Sequence, residues 1–248
     1  LRLQYPRWIF FGDDFAPRDL DEASGSIAAF SAQIEVHKML GIARYISSGI
    51  DSWDYVASGV GMLSRDAQHI SMLSIFGDPL RPIARGSNDL DYALGSISEI
   101  RDPGLLVTLT AVTVLPAYVS ILEFISRRTP IQRIREILSS IAEQEARDID
   151  AIATMISGRY REDDVAKTIE ERAVILFASA AAEESMKIAI ASVALGQHVQ
   201  ISRAQEVLRE LYSSIDERRV ATARKIFGDS DRLITIIRKY GLSGIGLC

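Results

Sequence analysis

Apolar residues return every three to four positions along most of the chain, and this spacing predicts an all-α protein. The first predicted helix runs from about Asp19 to Ser47. A short turn at Gly49 and Ile50 leads into a second helix, which Asp51 can cap and which ends near Gly77, so the two form an antiparallel hairpin. Two prolines mark Asp78 to Gly86 as a loop before a short helix over about Asp89 to Ile100. Asp102 with Pro103 opens the third long helix, which carries Pro116 inside its apolar run, predicting a kink, and stops near Arg127. Thr129 with Pro130 opens a fourth that continues to about Ile156 and ends at Gly158. A fifth spans about Asp163 to Leu195 with Gly196 as its stop, giving a second long hairpin. Ser202 with Gln205 reads as a capping box for a helix reaching Phe227, a short helix follows over about Asp231 to Tyr240, and Gly241 to Cys248 reads as a mobile tail.

Within this pattern several polar residues stand where apolar ones belong. Glu35 shares a helical face with Ala28, Ala32, Met39, Ile42 and Ile46. On the second helix Asp66 and His69 are three residues apart, on the face of Met62 and Leu73, and antiparallel pairing about residue 50 sets position 35 opposite 65 and 66. Glu145 and Asp148 repeat the three-residue spacing within the stripe Ile134, Leu138, Ile141, Ile152 and Met155. Glu184 lies among Val174, Phe177, Ala181 and Ile188, with Glu183 beside it and Lys187 one turn on. The last pair fits less well, because a turn near residue 160 sets position 145 opposite about 175 rather than 184.

Carboxylates on inward helical faces, with histidine three residues after an acid, are the ingredients of a carboxylate-bridged di-iron or di-manganese centre. In this the chain resembles the ferritin-like superfamily, in a layout similar to the ribonucleotide reductase small subunit and the bacterial multicomponent monooxygenases. The resemblance covers about residues 19 to 196. It sets Glu35 as the first acid, Asp66-x-x-His69 as the first motif, Glu145 or Asp148 as the third position and Glu184-x-x-Lys187 as the fourth. The motifs depart from the family pattern by Asp for Glu in the first and Lys for His in the second. An ammonium is a poor metal ligand, so Lys187 and Glu183 also read as an internal ion pair that balances buried charge. The resemblance implies a ferritin-like bundle of about six to eight helices on two long hairpins. It further implies iron or manganese as cofactor, dioxygen chemistry on a small organic ligand, and a homodimer or hetero-oligomer. The alternative is a metal-free structural or interaction subunit of the same fold.

Composition narrows the remaining classes. The 248 residues show no linker or composition shift, which predicts one domain, with a core over about 19–196 and C-terminal helices over about 201–240. A net charge of −5 with dispersed Lys and Arg argues against a nucleic-acid partner. The apolar stretch Ala173 to Leu195 is interrupted by Glu183, Glu184 and Lys187, so it reads as a core helix and no membrane association is expected. One cysteine, Cys248, and an aromatic N-terminus without a leader pattern fit a cytoplasmic protein. His37 reads as a packing or interface histidine, and Gly-rich phosphate loops and Ser/His/Asp groupings do not occur.

Overall fold

The computed structural model describes residues 19–48, 52–76, 88–177, 183–229 and 231–242. Among them the protein is all-α, with nine helices: α1 (Leu20–Ser47), α2 (Trp53–Leu73), α3 (Asn88–Ser98), α4 (Pro103–Arg128), α5 (Gln132–Ile156), α6 (Glu162–Phe177), α7 (Glu184–Leu195), α8 (Ile201–Phe227) and α9 (Asp231–Tyr240). The aromatic N-terminus, the Asp51 cap, the loop Asp78 to Gly86 and the last six residues lie outside the described residues.

Start signals act where a side chain can reach a free backbone N–H. Asp19 accepts from the amide of Glu22, and Asp102 accepts from Gly104 and Leu105 just ahead of Pro103. Two expected starts differ. Helix α5 begins after Ile131, not at Thr129 and Pro130, and Ser202 lies inside α8, whose N-cap is Gln200 without a side-chain bond. Glycines at positive φ end α5 and α7, at Gly158 (φ 73°) and Gly196 (φ 67°).

Helix α4 is the axis of the core. Pro116 has no N–H for the helical ladder, and the strain is taken up just before it, where Thr110–Val114 forms a π-helical segment. Arg219 of α8, itself fully buried, donates Nε–H to the Thr113 carbonyl in that segment at 3.0 Å. By length and composition α4 is apolar enough to cross a membrane, but 94% of its apolar window is buried against α1, α5, α7 and α8.

The hairpins are α1 with α2 and α4 with α5. The second corrects the expected pairing: α5 lies along the helix before it, while α6 packs on α3 and α9. The expected helix from Asp163 to Leu195 is divided into α6 and α7, which raises the count above six to eight. Gly59 lets the first hairpin close tightly, since a Cβ there would stand 2.5 Å from Ile46 Cδ1. Leu242 is buried and donates its amide to Asp216, so the chain is anchored two residues into the expected tail.

Candidate metal centre

Helices α1, α2 and α5 bring their acids to one buried point. Glu35, Asp66 and Glu145 have no solvent exposure, and Asp148 and His69 are 1% exposed. The α1/α2 register sits about one turn from the expected one. Glu35 lies opposite His69, whose Nδ1 is 3.1 Å from Glu35 Oε1, and Asp66 lies opposite Lys38. These two pairs centre the hairpin nearer residue 52 than 50.

Lys38, one turn after Glu35 and 1% exposed, was not singled out by sequence reasoning. Its Nζ lies 2.7 Å from Asp66 Oδ1, 2.5 Å from Glu145 Oε1 and 2.9 Å from Asp148 Oδ2. Arg65, partly exposed, closes the outer side with Nη2 2.5 Å from Asp148 Oδ1. Burial alone would lower the Lys38 pKa, but Glu145, Asp66, Glu35 and Asp148 together outweigh it and hold the ammonium charged far into the alkaline range.

His69 faces acceptors on both sides, with Nε2 2.9 Å from Gln144 Oε1 and Nδ1 also 3.4 Å from Glu145 Oε1. Burial opposes its charge, yet the hydrogen bonds to Glu145 and Glu35 prevail and push its pKa up to about 10. Tyr118 of α4, fully buried, donates its hydroxyl to Glu35 Oε1 at 2.8 Å. Desolvation, then the charge of Glu145, raises the Glu35 pKa, and desolvation takes Asp66 up to about 8. Glu145 is held low: burial opposes its charge, but Lys38 and His69 overcome that.

Four carboxylate oxygens, Glu35 Oε2, both of Asp66 and Glu145 Oε2, are buried and accept no hydrogen bond, with Asp66 Oδ1 held only by its ion pair to Lys38. Leaving such groups unpartnered is costly, so they call for a proton or a cation. One ligand atom each from Glu35, Asp66, His69 and Glu145 lie within 4.8 Å of one another. Ligands at about 2.0–2.2 Å from a metal stand at most about 4.4 Å apart, so a contraction of a few tenths of an ångström would let this group hold an ion. Oxygen-rich donors with one imidazole suit manganese or iron, and Gln144 Oε1 is placed to orient the ring by accepting a hydrogen bond from Nε2–H.

No protein-family model, curated protein or solved structure matches this chain. The centre therefore stands on its own geometry. Of the sequence candidates, Glu35, Asp66, His69, Glu145 and Asp148 meet there. Glu184 does not join them: it is exposed at the first turn of α7, where Glu183 is the N-cap. Lys187 is buried but lies over the Tyr212 ring at 6.0 Å. The charge compensation expected of Lys187 is supplied to these acids by Lys38. The division of the expected fifth helix accounts for this, since Glu184 opens a new helix instead of lying mid-face in a long one. His37 is buried between Ser98 Oγ and Thr110 Oγ1, a packing histidine, and desolvation takes its pKa down to about 4.

Proposed function

We propose that this protein binds a single divalent iron or manganese ion through Glu35, Asp66, Glu145 and His69, in a helical bundle similar to those of ferritin-like oxidases. The observation that carries the reading is the set of buried donorless carboxylate oxygens on Glu35, Asp66 and Glu145, residues that with His69 can each bring a ligand atom within 4.8 Å of the others. Iron or manganese held there would supply electrons for reaction of dioxygen with a small organic substrate. In this reading His69 gives its Nδ1 lone pair to the ion and keeps Nε2–H on Gln144, while Tyr118 fixes the Glu35 carboxylate.

A second reading is a metal-free subunit. It is favoured by the three cationic groups, Lys38, Arg65 and protonated His69, that already stand against the four acids. Elemental analysis of protein purified from iron- and manganese-supplemented culture decides between the two. One equivalent of metal per chain, lost in Glu35→Ala and His69→Ala, is the expected result. Metal near zero in the folded wild type would establish the second reading instead.

A further inference from the structure

The two oxygens of Asp66 and of Glu145 are treated differently. In each carboxylate one oxygen lies on the Lys38 ammonium, at 2.7 and 2.5 Å, and the other is buried without a donor. A carboxylate with one oxygen on a cation and the second oxygen unsatisfied is half of a bridge between two cations. Charge limits what the second can be. Glu35, Asp66, Glu145 and Asp148 carry four negative charges, and Lys38 with Arg65 returns two. One divalent ion beside a neutral imidazole brings the group to zero. Two such ions would leave it with a net charge of about +2 in a buried site, where uncompensated charge is strongly disfavoured.

We infer that Lys38 is a resident first cation, bridged through Asp66 and Glu145 to the metal, and that it restricts the centre to one divalent ion. This rests on the metal-binding reading above and deepens it. The ammonium undergoes no redox change, so electron transfer at this centre belongs to one metal and not to a pair. Lys38 acts through Asp66 and Glu145 and is a positioning residue, not a ligand.

Replacing Lys38 by glutamate makes five carboxylates, which Arg65 and two divalent ions would neutralise. Wild type, Lys38→Arg and Lys38→Glu are each equilibrated with Mn(II), and bound manganese is counted by elemental analysis and titration calorimetry. Electron paramagnetic resonance then separates isolated from exchange-coupled ions. Wild type and Lys38→Arg are expected to hold one uncoupled ion per chain and Lys38→Glu two coupled ones. A folded Lys38→Glu protein with one ion, or wild type with two, would overturn the inference. Metal absent from wild type would end the proposed function and this inference with it, whereas one ion in both wild type and folded Lys38→Glu would end the inference alone. Metal absent from both would end both. Should Lys38→Glu not fold, Lys38→Met is refolded with and without millimolar Mn(II). Recovery of helicity and of a cooperative melt with the metal alone is expected, and failure to recover would refute the exchange of ammonium for metal.

Discussion

Asp66 and His69 hold protons in the folded protein that the unfolded chain would release at lower pH, so both bias stability the same way. Burial takes the Asp66 pKa from 3.8 up to about 8, and the hydrogen bonds of Glu145 and Glu35 carry His69, against desolvation, from 6.5 up to about 10. A raised folded pKa means that the native state binds more protons, so its stabilisation is complete below the unfolded value and is lost as pH climbs through the folded one. Between pH about 5 and 9 the metal-free protein is therefore expected to lose melting temperature steadily. Glu145, held low, changes only in acid, and Lys38 only at the far alkaline end. Metal binding runs the other way, because the ion must displace these protons, and its affinity is expected to rise over the same range. Calorimetric melts with and without Mn(II) at several pH values check both slopes, and a flat metal-free profile would contradict the proton assignment. Tyr118→Phe removes the phenolic donor to Glu35, a bond to a charged group with a net contribution of about 1.5–3 kcal/mol. A drop of that order in urea-unfolding free energy is expected.

At the scale of helices, the π segment of α4 and the helix that supports it form one unit. Arg219 links the Thr113 carbonyl to Asp216, which also accepts the Leu242 amide. Arg219→Met keeps much of the stem but leaves the carbonyl and the carboxylate of a buried network short of a donor. A loss of about 3–5 kcal/mol is expected, with faster amide exchange around residues 110–114 than in α1. This part of the fold was only partly legible in the sequence. Pro116 announced a distortion, but its form depends on a partner about a hundred residues away. The helix starts at Asp19 and Asp102 were legible because they are local, and the pairing of α5 with α4 was not, because hairpin arithmetic counts loop residues and not the faces that pack. Lys38 was hidden by a one-residue drift in the inner stripe of α1. The face was read through Met39 and Ile46, which are half-buried, whereas Lys38, Ile42 and Tyr45 are the buried set. The recurrent spacing of Glu35 with Lys38, Asp66 with His69 and Glu145 with Asp148 was the available signal, and the same spacing at Glu184 and Lys187 drew attention elsewhere.

Across the whole molecule the cluster is the point at which three helices from two hairpins are tied together by charge, inside a largely continuous apolar core. Burying apolar surface does not by itself fix helix rotation, because apolar side chains repack with little penalty, whereas a Lys38 ammonium shared by α2 and α5 tolerates few alternatives. A ligand bound at that point should therefore act on all three helices at once. Free Mn(II) at a hundred times its dissociation constant would add about 2.7 kcal/mol. For a chain of this size that corresponds to a rise of roughly 5–11 °C in melting temperature. The distribution of the effect tests the idea more sharply than its size. Hydrogen exchange should slow together around residues 35–38, 66–69 and 145–148, with little change in α9. A surface-bound ion would protect one helix, or none. Protection confined to α5, where Glu145 and Asp148 share one helix, would show that the acids bind manganese without joining the hairpins, and the charge cluster would then have no part in holding the bundle in register.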